Sequence, residues 1–154
     1  MKPLTHLFLG GIFSLIFSLI FKINFLEFLV LFLSTWFFID LDLVFIFVVK
    51  EKSINPFKFI EWHKKLRKKF LSLPLEERKE NKLLLRFLHS IEFILLLFLF
   101  YFFNKIFLFV IIGFIFHLIL DWIDLFFNFK EGLFHKISLF LTLKKNKNRK
   151  KLIY

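Results

Sequence analysis

Four apolar runs of 18 or more residues dominate the chain: Leu4 to Phe21, Phe25 to Val49, Leu83 to Phe103 and Ile106 to Phe127. A helix rises about 1.5 Å per residue, so each run, as a helix, is long enough for the roughly 30 Å of hydrocarbon in a bilayer. None sustains the alternation of a half-buried strand, and each exceeds an ordinary strand in length. A chain of 154 residues is too small to bury four helices that are apolar on all sides. The runs therefore predict an all-α fold, an integral membrane bundle of four transmembrane helices. The expected membrane domain covers residues 1–143, and a basic tail follows over 144–154. The first run does not read as a signal peptide: it is too long, no small-residue cleavage site follows, and Lys22 stands at the wrong end.

The net charge of +11 is unevenly placed. Of 23 Lys and Arg residues, eleven lie in the 50–82 link and eight in residues 130–154. The turns around Lys22 and Lys105 carry one Lys each. The positive-inside rule then predicts an inner-membrane protein with a basic cytoplasmic loop, a basic cytoplasmic tail and both termini in the cytoplasm. Within the link, Asn55-Pro56 reads as a helix start. Phe57 to Phe70 reads as a basic amphipathic helix, with Phe59, Trp62, Leu66 and Phe70 near helical spacing. Its expected partners are anionic lipids at the cytoplasmic face, although a juxtamembrane charge block that fixes topology is the stronger account of the segment itself. Pro74 then breaks the chain, and Glu76 and Glu77 suit the first turn of the next helix. Leu133 to Leu143 is too short to span, so an interfacial or re-entrant helix is expected. No nucleic-acid-reading module accompanies the charge, so no nucleic-acid partner is expected. A homo-oligomer is compatible with the sequence.

With 58% apolar residues the chain is no disordered protein, and the absence of Cys excludes disulfides, a Cys-based zinc site and a Cys nucleophile. Gly is scarce, with four residues and no Ala, so bulky Phe and Leu knobs are expected to fill the helix interfaces.

Ionisable residues inside such runs are costly and mark function or paired interior positions. Here they are His6, Asp40, Asp42, His89, Glu92, His117, Asp121 and Asp124. Under the four-span topology all fall toward one membrane face. His117, Asp121 and Asp124 share one helix side, as do His89 and Glu92. Asp40 and Asp42 are two apart, so both aim at one point only if the helix is broken there. One then ligates and the other supports. Three His and several carboxylates suit a divalent ion, zinc or manganese. The expected ligands are His6, Asp40, His89, His117 and Asp121. Asp42 or Glu92 would orient a ligand or take a proton from water, as the catalytic pair. Plainer roles fit the same residues: an interfacial His6, Asp40 and Asp42 as helix caps, a His117–Asp121 bond, and an Arg86–His89–Glu92 network.

These residues also resemble the YdjM-like family of inner-membrane metal-dependent hydrolases. That family shows an N-terminal His, P-D-I-D ending a helix, H-R-x-x-T-H-S, and G-x-x-x-H-x-x-x-D. The counterparts here are Thr5-His6 with Gly10, Asp40-Leu41-Asp42, Leu88-His89-Ser90, and Gly113 with His117 and Asp121. Ile39 stands in place of the Pro, Leu84 in place of the first His, Leu88 in place of Thr, and Arg86 is one place off the motif Arg. The resemblance implies a membrane-embedded metal-dependent hydrolase acting near the cytoplasmic leaflet on a phosphoester or lipid. Two other classes compete. An ion or proton transport component would use the same Asp and His residues as a relay, but the polar groups gather at one face and leave no through-path. A non-catalytic structural or lipid-binding protein would use them to hold helices together.

Overall fold

The computed structural model describes residues 3–74, 77, 85–124, 126–127 and 138–147. Helix α1 covers Pro3–Phe21 and α2 covers Phe25–Trp36. A 3-10 turn at Phe38–Asp40 leads into α3, Leu41–Glu51, and α4 occupies the basic link at Pro56–Ser72. Helix α5 is Ile91–Tyr101, α6 is Ile106–Asp124 and α7 is Leu139–Lys147.

Local chemistry sets most of these boundaries. Asn24 opens α2 with a capping box: its Oδ1 accepts from the Glu27 amide at 3.0 Å, and Glu27 Oε2 accepts from the Asn24 amide at 2.8 Å. Asn55 caps α4 with Pro56 at the first helical position, where a missing N–H costs nothing. Lys52 ends α3 in the left-handed conformation, at φ 47°. Ser90 caps α5, accepting from the Phe93 amide at 3.2 Å.

The expected bundle of four transmembrane helices is not what these residues form. Among the described residues one helix alone, α6, is both long and apolar enough to cross a membrane. The second run is broken at Phe37, and its halves, Phe25–Trp36 and Phe38–Glu51, would count as a second span only as a pair bent by 40°. The apolar stretches Thr5–Phe21 and Ile91–Tyr101 each fall within 10–17 residues. The physical reason is that an apolar run is not a helix length. The Ser90 cap starts α5 well inside the third run, and the 11 residues of α5 rise only about 16 Å. The membrane-embedded placement, the inner-membrane localisation and the cytoplasmic termini rested on four spans and are withdrawn with them. Leu84, Glu76 and residues 133–137 lie outside the described residues.

Helix α2 is the centre of the packing, with α1 on one side and α6 on the other. Two glycines make that approach possible, which corrects the expectation that bulky knobs fill every interface. A Cβ on Gly10 would collide with the Thr35 side chain. A Cβ on Gly113 would lie 2.5 Å from Ser34 Cβ and 3.0 Å from the Leu31 carbonyl oxygen. Beyond α2, Phe13 of α1 stacks on Phe116 of α6 with ring centroids 4.0 Å apart. Ile39, Leu97, Ile111, Phe114 and Leu118 form the apolar core between α5, α6 and the 3-10 turn. The polar residues lie unusually deep. His6, Ser14, Ser34, Thr35, His89, Ser90 and His117 are all buried, while Phe8, Leu19, Phe25, Phe45 and Phe103 face outward.

Glu92, expected as a catalytic residue, serves the fold instead. Its carboxylate accepts from the Ser138 hydroxyl and from the Leu139 and Phe140 amides, at 3.0 and 3.3 Å for the two amides. It thereby satisfies the open N–H groups at the start of α7. Partial burial pushes this carboxyl up, but the three donors prevail and hold it down at about 2. A depressed carboxyl contributes stability that is present above its unfolded value, near 4.5, and is lost as pH falls toward 2. Amide exchange at Leu139 and Phe140 is therefore expected to stay protected down to about pH 3. Glu92→Ala should lose that protection at neutral pH. Equal protection in the two proteins would show that α7 is held by something else.

Candidate metal centre

The break after α2 decides the geometry. An unbroken helix would turn Asp40 and Asp42 some 200° apart. Asp40 instead ends the 3-10 turn at φ −86°, ψ 0°, and Asp42 lies in the first turn of α3. Both carboxylates reach His89, from opposite sides of its ring. Asp40 Oδ1 lies 3.4 Å from Nε2, and Asp42 Oδ2 lies 3.4 Å from Nδ1. Asp42 Oδ2 also accepts from the Leu88 amide at 3.2 Å, which pins the loop carrying His89.

His6 from α1 and His117 from α6 meet as stacked rings, with centroids 4.0 Å apart and planes 10° from parallel. His89 stands edge-on to His117 at 5.4 Å. Asp121, one turn after His117, sends Oδ1 to within 3.3 Å of His6 Nε2. Its Oδ2 lies 3.6 Å from His117 Nε2 and 3.8 Å from His89 Nε2. Two overlapping triads result, His6–His117–Asp121 and Asp40–His89–His117, each with its candidate ligand atoms within 4.8 Å of one another. Buried His/Asp clusters able to coordinate a metal ion are thus present in the structure.

The ring nitrogens show what the cluster lacks. His117 Nδ1 lies 2.9 Å from the Thr35 carbonyl oxygen, which only accepts, so Nδ1 carries the proton and Nε2 presents a lone pair. That lone pair faces a carboxylate, another acceptor. His117 Nε2 and His6 Nε2 are both buried without a hydrogen-bond partner. A buried carboxylate beside imidazole nitrogens is satisfied either by a proton on the ring or by a cation between them. Burial pushes Asp40 up, yet the adjoining His89 holds it down at about 2. Asp121 is likewise held well below the carboxylate range, against its burial, by His117 and His6. Burial depresses His6, whereas His89 is raised because Asp40 and Asp42 outweigh its burial. Two ionised carboxylates therefore face the imidazoles.

No family model, no curated protein and no solved structure matches the chain.

Asp124 stands apart from the cluster. Arg67 of α4 grips it with a two-pronged pair, Nη1 to Oδ2 at 2.8 Å and Nη2 to Oδ1 at 3.0 Å. The sequence reading treated Arg67 only as part of a charge block. The missed signal was periodicity: Trp62, His63, Leu66, Arg67 and Phe70 share the half-buried side of α4, while Lys64, Lys65, Lys68 and Lys69 are exposed. The pair ties the basic helix to the end of α6, one turn beyond Asp121. Asp124→Asn is expected to leave the His/Asp cluster in place and to lower stability by about 1–3 kcal/mol, the cost of weakening a part-buried charged hydrogen bond. A denaturant titration beside a metal assay checks both halves.

Proposed function

We propose that the protein is a metal-dependent hydrolytic enzyme whose centre is one divalent ion, zinc or manganese, held by His6, Asp40, His89, His117 and Asp121. The observation that carries this is the spacing of the facing atoms. The closest nitrogen–oxygen separations among these five residues run from 3.3 to 3.8 Å. Those separations are long for a charge-assisted hydrogen bond, which closes to about 2.7–2.9 Å. Ligands about 2.0–2.1 Å from a shared ion stand about 2.9–3.6 Å apart in a five-ligand shell, and three of the four separations fall in that range.

The surrounding residues are placed to orient that set. The Thr35 carbonyl fixes the His117 tautomer, and Asp42 does the same for His89 through Nδ1, the outer support usual for metal-bound imidazoles. Asp42 is thus a positioning residue. Of the two carboxylates in the cluster, Asp40 is the more open at 23% side-chain exposure, against 17% for Asp121. That places it on the side of the cluster nearest to an entering substrate. The ion, when bound, supplies Lewis-acid chemistry: it polarises an ester oxygen and acidifies water.

Metal analysis of the purified full chain, resupplied with zinc and with manganese, tests the reading. One ion per chain is expected. A near-zero content after both resupplies would leave the cluster as a helix-packing network and remove the basis for hydrolysis.

A further inference from the structure

Arg86 has an unusual partner. Its Nη1 lies 3.3 Å from His89 Nε2, the nitrogen that also faces Asp40 and Asp121. Its side chain is half-buried, in the loop just before α5. Three carboxylates surround the same imidazoles, yet no Arg86–carboxylate ion pair forms among the described residues, in contrast to the two-pronged grip of Arg67 on Asp124. A guanidinium carries five N–H donors in a flat fork shaped for two oxygens of one anion. Here that fork spends one donor on an imidazole.

A metal ion and the Arg86 guanidinium would compete for the same place, the Nε2 side of His89. Were an ion held there, Arg86, whose Nη1 lies 3.3 Å from Nε2, would keep its donors for an anion from outside.

Resting on the metal-centre reading above, we propose that Arg86 is the substrate-binding arm of that centre. It grips the anionic group of an oxyanion substrate, a phosphate or carboxylate ester, while the ion holds another oxygen of the same group. The assignment makes Arg86 a contact residue for substrate and not a ligand support.

The test uses the full chain loaded with zinc and titrated calorimetrically with inorganic phosphate, after the zinc content has been measured. Wild type is expected to bind phosphate. Arg86→Gln should hold zinc at least as well as wild type and bind phosphate about 10–100-fold more weakly, the loss expected for a charged hydrogen-bonding pair. Arg86→Lys should fall between them, keeping the charge but not the fork. Phosphate affinity unchanged in Arg86→Gln, or undetectable in zinc-loaded wild type, would overturn the proposal while leaving the metal centre standing. Loss of zinc in Arg86→Gln would overturn it too, making Arg86 a structural support of the ligands. A wild-type chain that takes up no zinc would overturn the centre itself, and this inference with it.

Discussion

His117→Ala is expected to abolish stoichiometric metal binding, with affinity falling by at least about 100-fold, and any hydrolytic activity should go with it. His117 belongs to both triads, and its Nδ1 is committed to the Thr35 carbonyl, so one lone pair serves the whole cluster. Removing it breaks both triads and leaves only His89 Nε2 facing both Asp40 and Asp121. Direct metal analysis of wild type, His117→Ala and Asp124→Asn, prepared identically, gives the result. The first and third should carry the ion and the second should not. The variant also loses the ring that stacks on His6, so folding must be checked by far-ultraviolet circular dichroism. Should His117→Ala prove unfolded, His89→Ala serves in its place, because that residue lies in a loop and enters only one triad. Ion content equal to wild type in a folded variant would exclude His117 as a ligand.

Gly113→Ala should destabilise the fold by about 1–3 kcal/mol, although helix propensity alone argues for a gain of about 1 kcal/mol. The two effects have opposite signs, so the measurement separates them. The added methyl would meet Ser34 Cβ at 2.5 Å and the Leu31 carbonyl at 3.0 Å, and backbone yields less readily than the end of a flexible side chain. Gly113→Leu should prevent α2 and α6 from seating. Gly11→Ala is the internal control, because its new methyl meets only Phe32, at 3.6 Å, an ordinary contact. Denaturant midpoints should rank Gly11→Ala near wild type and Gly113→Ala clearly below it. A neutral Gly113→Ala would mean that α2 and α6 are free to separate.

The polar set was legible because each of its members interrupts an apolar run, and the spacing of His117 and Asp121 places them one helical turn apart. That Asp40 and Asp42 would need a broken helix to work together was also readable, from their separation of two. The break itself was not. No Pro or Gly marks Phe37, and the 3-10 turn is fixed by the docking of Ile39 into the core, a tertiary effect. The same limit misjudged the spans, since apolar composition continues through the break at Phe37 and through the helix start that Ser90 sets by capping. Glu92 looked like a member of the site because it is three residues from His89. Its true partners at 138–140 are distant in sequence and had no pattern to announce them. Gly10 and Gly113 were noticed as motif positions, but nothing in one sequence says that both press on neighbouring residues of the same helix.

That double contact has a consequence for how the protein comes to life. Thr35 receives α1 through its side chain, against Gly10, and α6 through its carbonyl, from His117. The first and sixth helices thus register on a single residue of the second. His6 emerges early in synthesis and must wait for most of the chain before its partners at 117 and 121 exist. Contacts of such long sequence separation form late and slowly. A nascent or truncated chain therefore holds no complete His/Asp cluster, and metal capture, on the proposed reading, would report that the last long helix has docked. Because an ion that binds only the finished arrangement stabilises that arrangement alone, its arrival would act as a lock applied at the end of assembly.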